Sequence, residues 1–390
     1  MQPLTVRALS ALAIGLFFAG CSGNGSTAIA QSGTVPDSLT HLTRSAGPDV
    51  GPEYLYVTNA GSNNVSIFSI GSLGVLTAVG LPVTVGSGPR GLAVGTDSND
   101  NSSLYVANNG SDTVSAFHIT AATGALTQIP TSPFLAHGMT PNGVASIGKC
   151  VFTTNSGSSD VSAFYIKGSP HYGALMWKAN YLAGSHPENI AIDAASPFNP
   201  FVYVTNEGSN NITAYKALPV YPCTLTPVAG SPFATGGTGP FGVAVDTTGA
   251  HVVVANLSSN SVSFFNIGGG GALTYLATTT AGGIHPVGVA ISGMYAFVPN
   301  ESSDTVSTYN VAGTAFGSPV TTDSYPQGVA VDPLGSFAYV ANESTHDVSG
   351  YTISSGVLTA TSPATFAAGT NPEYLATCKK VGHSCKPPPL

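Results

Sequence analysis

The sequence predicts an all-β chain folded as a seven-bladed β-propeller of four-stranded antiparallel blades, closed by the C-terminal strand pairing into blade one. Three observations predict it. A short motif ending in Asn recurs seven times. Each recurrence carries the residue alternation of β-strands. The four residues PEYL stand at both ends of the array, at 52–55 and 372–375.

The repeat comes first, because missing it misreads the whole fold. YVTN at 56–59 returns as YVAN (105–108), FTTN (152–155), YVTN (203–206), VVAN (253–256), FVPN (297–300) and YVAN (339–342). Six residues beyond each Asn stands Val or Ile, and nine beyond stands an aromatic, from Phe68 and Phe117 to Tyr309 and Tyr351. The YVTN segment is rich in β-branched and aromatic residues, and the VSxF segment alternates apolar with small polar ones, so both read as strands. NAGSNN (59–64), NNGSDT (108–113) and NESSDT (300–305) lie between them. Their Asn, Gly, Ser and Asp make tight turns, so the two strands form a hairpin. A third strand often opens on GxLT, as at 74–77, 124–127, 271–274 and 356–359. A further strand precedes six of the YVTN segments, as in GPRGLAV (88–94), GPFGVAVD (239–246) and YPQGVAVD (325–332). Four short strands, repeated seven times at intervals of 42–51 residues, predict a propeller.

The doubled PEYL then acquires a physical meaning. The first unit begins at its YVTN strand and lacks the strand before it. The last unit is followed by NPEYLAT, which matches the P-x-x-[VIL]-A pattern of that missing strand. The C-terminal segment is therefore expected to supply the inner strand of blade one, leaving no open edge. The expected propeller spans 52–390, and the expected form is a monomer.

The N-terminus reads as a lipoprotein signal over 1–20. Arg7 precedes an apolar run, Ala8 to Phe18, too short to span a bilayer. Ala19 and Gly20 lead to Cys21, and FAGC resembles a bacterial lipoprotein box. That resemblance implies cleavage before Cys21 and lipid on its sulfur. Residues 21–51 are rich in Ser, Gly, Thr and Pro and read as a flexible tether. The expected location is outside the cytoplasm, anchored to a membrane: the outer membrane, periplasm or cell surface.

Only 7% of residues are charged and the formal net charge is −8, so nucleic acid is not an expected partner. The hydrophobic fraction of 43% argues against disorder. Cys150, Cys223, Cys378 and Cys385 permit two disulfides in three connectivities. Their spacing favours Cys378–Cys385 and leaves Cys150–Cys223 open. No CxxC or CxxCH motif supports a redox or haem site, and His118, His171, His251 and His346 fall at unrelated repeat positions. No cofactor and no metal are expected. Asp193, Asp246 and Asp332 read as turn residues after inner strands, and the seven repeat Asn as hairpin caps.

A ring of equivalent positions defines the candidate site. The residues just after the Pro of each inner-strand motif are Glu373, Arg90, Asn142, Glu188, Phe241, Val287 and Gln327. Those just before it are Asn371, Gly88, Thr140, His186, Gly239, His285 and Tyr325. They surround the mouth of the central channel, and Arg90 is the only Arg after the tether. Glu188 or His186 can act as general base. Arg90 can hold a carboxylate or oxyanion, beside Glu373. His285, Asn142, Gln327 and Tyr325 complete the ligand-binding set. The competing reading is that Arg90 pairs with Glu373 to tie the closing strand to blade two.

YVTN followed by GSNNVS resembles the YVTN-repeat, or lactonase-like, seven-bladed propellers, over nearly all of 52–378. The resemblance implies the fold strongly and the activity weakly. The same architecture carries 6-phosphogluconolactonases, a muconate-lactonising enzyme and surface-layer proteins. With one Arg and few Lys, three of them in the tail (Lys379, Lys380, Lys386), the propeller is poorly equipped for a sugar phosphate. HPEN (186–189) and HPVG (285–288) each keep one histidine of the pair that the lactonases carry. The expected substrate is a non-phosphorylated lactone or ester. The alternative is a non-catalytic envelope module binding a glycan or protein.

Overall fold

The computed structural model describes residues 51–388, save 98, 194 and 196–198. The signal, Cys21 and all of the tether but Gly51 lie outside the described residues. The rest is all-β: seven antiparallel sheets, each with an inner strand, the YVTN and VSxF strands, and an outer strand. The YVTN strands run from Glu53–Asn59 in blade one to Phe337–Asn342 in blade seven, each paired to its VSxF strand in the same register. Outer strands are continuous in blades three, five and seven and broken into two short pieces in the other four.

Closure occurs as the repeat arithmetic requires. Pro372–Val381 pairs antiparallel with Glu53–Asn59, setting Leu375 opposite Val57 and Cys378 opposite Tyr54. A terminal strand, Ser384–Lys386, folds back on it, and the Cys378–Cys385 disulfide spans that hairpin.

Every repeat Asn does the same thing, which explains its invariance. Its side-chain amide donates to residues five and seven positions on, as Asn59 does to Asn64 and Ser66, and Asn342 to Asp347 and Ser349. The turn is thus closed by a buried side chain rather than by water. Asp97, Asp246 and Asp332 hold the turns after inner strands through backbone N–H groups. Asp193 does so through Ala195.

The core is not central. Seven apolar clusters fill the seven seams between blades, including the seam between blades seven and one. Tyr56, Tyr105, Tyr203 and Tyr339 are fully buried there, each contributing roughly 1.5–3 kcal/mol by burial. Each also donates its hydroxyl to the carbonyl of a glycine in the next blade: Gly124, Gly173, Gly271 and Gly74. Those glycines have φ of 73–80°. At three of these seams an aromatic side chain, Tyr54, Phe201 or Phe337, lies where a Cβ on the glycine would sit. In the seam between blades three and four the two equivalent positions are Cys150 and Cys223, and they are joined by a disulfide. Cys223 keeps the glycine's left-handed backbone, at φ 60°.

Candidate active site at the channel mouth

The mouth is built by one backbone conformation and one hydrogen bond, each repeated seven times. The residue before each inner-strand Pro has a left-handed backbone, with φ of 49–64°. Its carbonyl accepts a 2.8–3.1 Å hydrogen bond from the residue that follows the repeat Asn. This fixes two concentric sets of side chains around the axis. One is the expected set after the Pro. The other is Ala60, Asn109, Ser156, Glu207, Leu257, Glu301 and Glu343, which the sequence reading overlooked. The signal was present as a constant offset of one from the repeat Asn.

The two sets combine. Glu188 is 6% exposed. Its Oε2 accepts from Asn142 Nδ2 at 2.5 Å and its Oε1 from Ser156 Oγ at 3.0 Å. Asn142 Oδ1 in turn accepts from Asn109 Nδ2 at 2.8 Å. Burial pushes the Glu188 carboxyl up to about 7, and Glu207 adds to the rise. The Ser156 hydroxyl and the Arg90 charge oppose it. Such a carboxylate takes and returns a proton near neutral pH.

Arg90 Nη1 lies 3.7 Å from Glu373 Oε2. Burial also raises the Glu373 carboxyl, against the pull of Arg90. On the far side Gln327 Nε2 donates to both Glu301 (2.8 Å) and Glu343 (3.0 Å), and Asn371 Nδ2 donates to Glu343 (2.8 Å). His285 Nδ1 stands 2.8 Å from Ser302 Oγ and 3.7 Å from Glu301. Tyr325 is 39% exposed beside Glu301, whose charge raises its hydroxyl pKa. Phe241, Leu257 and buried Val287 form the apolar flank.

The expected residues therefore divide. Glu188, Asn142, Arg90 and Glu373 share the polar half of the mouth. Gln327, Tyr325 and His285 form a separate arc around Glu301. His186 joins neither: it is exposed, with Nδ1 3.5 Å from Ser185 Oγ, and it makes no hydrogen bond with Glu188, Arg90 or Glu373. Five of the chain's six glutamates border this mouth, with one arginine among them.

Below the mouth the inner strands approach one another closely. One residue further along each inner strand stand Gly91, Gly143, Asn189, Gly242, Gly288, Gly328 and Tyr374. Glycine is needed here because the strands converge. A Cβ on Gly242 would sit 2.1 Å from the Val287 carbonyl oxygen, and one on Gly328 would sit 2.5 Å from that of Glu373. Two residues deeper, seven alanines (Ala93, Ala145, Ala191, Ala244, Ala290, Ala330 and Ala376) line a cavity of about 430 Å³. Valine, leucine and isoleucine from the same strands line it too, together with polar residues such as Asn189 and Asp332 and with Pro333, Pro387 and Pro388 beyond the strands. Tyr374 belongs to both levels. Its ring lines the cavity, and its hydroxyl is buried without a hydrogen-bond partner. That hydroxyl is close enough to Arg90, Glu373 and Glu188 for all three charges to bear on it.

A family model described as "Lactonase, 7-bladed beta-propeller" matches residues 27–140 and 142–317. No curated protein matches the chain. Among solved structures, a putative 6-phosphogluconolactonase from Bacteroides uniformis is 17% identical with a TM-score of 0.70, over 84% of this chain and 99% of that one. Another from Bacteroides fragilis is 17% identical with a TM-score of 0.71, over 86% and 99%. The periplasmic gluconolactonase of Pseudomonas aeruginosa is 18% identical with a TM-score of 0.67, over 85% and 99%. At these identities the likeness speaks for the fold.

Proposed function

The chain belongs to the seven-bladed lactonase β-propeller family, and from that premise we propose that it hydrolyses a non-phosphorylated lactone or ester at the channel mouth. The observation that carries this reading is Glu188: buried, oriented by Asn142 and Ser156, raised to about 7, and within reach of the Arg90 charge. In the proposed reaction the Glu188 carboxylate takes a proton from water as the water oxygen bonds to the carbonyl carbon. The carbonyl electron pair moves onto its oxygen, where Arg90 stabilises the charge. The ring C–O bond then breaks as that pair returns, and the alkoxide leaves with the proton held by Glu188. The product is the open hydroxy acid.

Charge argues for the substrate class. Five glutamates and one arginine repel a phosphate dianion, whereas a neutral lactone requires only a base and one positive donor. The test is a panel of lactones and esters, assayed with the purified protein and with Glu188→Gln. The parent is expected to turn over at least one neutral lactone, and the variant none, while still melting in a single cooperative transition. Equal activity in both proteins, or none in the parent, would overturn the reading.

One observation favours a second reading, a non-catalytic module for an envelope glycan or protein. Arg90 forms its ion pair with Glu373, a contact that serves ring closure. Inactivity of the parent on the whole panel would support it. We further propose a lipid anchor at Cys21, from the apolar run and AGC that precede the tether. Cys21→Ala should release the protein from the membrane fraction. A wild-type N-terminus without lipid mass would refute the anchor.

A further inference from the structure

We propose that the alanine-lined channel receives an unbranched aliphatic tail of the ligand, while the Tyr374 hydroxyl and Arg90 hold its carbonyl oxygen from either side. The inference rests on the reading above for the placement of the ring, and it narrows the substrate class to neutral alkyl lactones.

Four observations lead to it. First, the cavity begins at the level of Tyr374, one residue along the inner strands from the ring that bears Arg90, Glu188 and Glu373. Second, its size of about 430 Å³ falls within the roughly 300–1,000 Å³ of small-molecule sites. Third, its wall is mostly glycine, alanine and branched aliphatics, with the polar side chains of Ser146, Asn189, Thr247, Ser292, Asp332 and Thr377 among them. A polyol chain there would leave most of its hydroxyls unpaired, which disfavours it. A hydrocarbon chain has nothing to leave unpaired. Fourth, Tyr374 breaks the glycine pattern at the level where mouth meets channel. Its hydroxyl keeps an unspent donor there, although a buried hydroxyl almost always finds a partner. Burial holds the phenol neutral, so it donates without adding charge. A carbonyl oxygen seated between Tyr374 and Arg90 satisfies it and directs the substituent down the channel.

The test is calorimetric titration of the purified full chain with two non-hydrolysable lactams, 2-pyrrolidinone and 5-hexyl-2-pyrrolidinone. The hexyl compound should bind at least tenfold more tightly. Tyr374→Phe keeps the ring and removes the donor, so it should weaken both lactams about tenfold and preserve their ratio. Ala93→Leu combined with Ala244→Leu narrows the bore from two sides and should abolish the hexyl advantage. A hexyl advantage below twofold in the parent protein overturns the proposal without requiring any variant to fold. So does a Tyr374→Phe protein that binds both lactams as the parent does. Tail-dependent lactam binding in a protein that hydrolyses no lactone would sustain this inference and refute the hydrolytic one.

Discussion

Arg90 and Glu373 meet at 3.7 Å although 283 residues separate them, one on the inner strand of blade two and the other on the strand that closes the ring. The contact joins the end of the chain to its first complete blade. Glu373 is buried and Arg90 is about one-third exposed, so the pair is only partly shielded from water. Removing either partner leaves the other without its counter-charge. Arg90→Met and Glu373→Gln should each lower stability by ~1–2 kcal/mol, and the double variant should lose less than their sum. Denaturant midpoints for the four proteins check this. Strict additivity would mean that the pair contributes nothing to closure.

Glu188 should impose a visible pH dependence. Activity requires its carboxylate, so the rate should rise with pH and level off above about 7. Ser156→Ala removes a hydrogen bond that favours the ionised form, so the limb should move to higher pH. Stability should run the other way. The folded state holds the proton more tightly than the unfolded chain, whose ordinary glutamate value is near 4.5. The stabilising contribution is complete below that value and is lost as pH rises through about 7. Glu188→Gln should therefore gain in melting temperature relative to the parent as pH rises from 4.5 to 8. A constant difference would show that Glu188 titrates normally.

Deleting 371–390 removes the inner strand of blade one and uncovers Tyr54, Tyr56 and Leu55, all buried. The truncated protein should aggregate or lose its cooperative transition, read by light scattering and calorimetry. A truncated form that melts like the parent would show that the ring is held without its last strand.

Gly242→Ala should destabilise the fold by roughly 1–3 kcal/mol, because the added methyl meets the Val287 backbone oxygen at 2.1 Å. Gly269→Ala, where a Cβ would meet nothing within 4 Å, is the control. Thermal midpoints should separate the two. If both fall equally, the constriction below the mouth is looser than described.

The repeat carried the fold into view at the level of the sequence: seven Asn-terminated strands at fixed spacing, and NPEYLAT as the missing inner strand. Arg90, Asn142 and Glu188 were legible for the same reason, since the Pro before each marks one height around the axis. Ser156 and Asn109 were not weighed, because their approach to Asn142 and Glu188 depends on hydrogen bonds between neighbouring blades, which repeat counting does not show. The alanine ring stood in the P-x-x-[VIL]-A pattern, but its direction was hidden. In five inner strands the pairing shifts between the Pro and the third residue after it, and such a shift changes which side chains face the axis. His186 shows the opposite limit. Its adjacency to Pro187 in sequence did not give its imidazole a hydrogen bond to Glu188.

The tyrosine–glycine contacts and the disulfide between blades also set where the ring breathes. Blade five offers Val253 where four other blades offer the latch tyrosine, and His251, where four others place an aromatic, turns to Asp246 at 2.8 Å. The carbonyl of Gly313 in blade six is met instead by the half-buried Thr279 at 2.8 Å. Blade six also has the shortest inner strand, Ala290–Ser292. The junction of blades five and six thus has neither the tyrosine latch nor the disulfide, whereas the junction of the two chain ends keeps the latch from Tyr339 to Gly74. Amide protons between blades five and six should exchange with solvent ahead of those in the closing strand. A propeller sewn shut at its termini would then open first at a point two junctions away, between blades that are continuous in the chain.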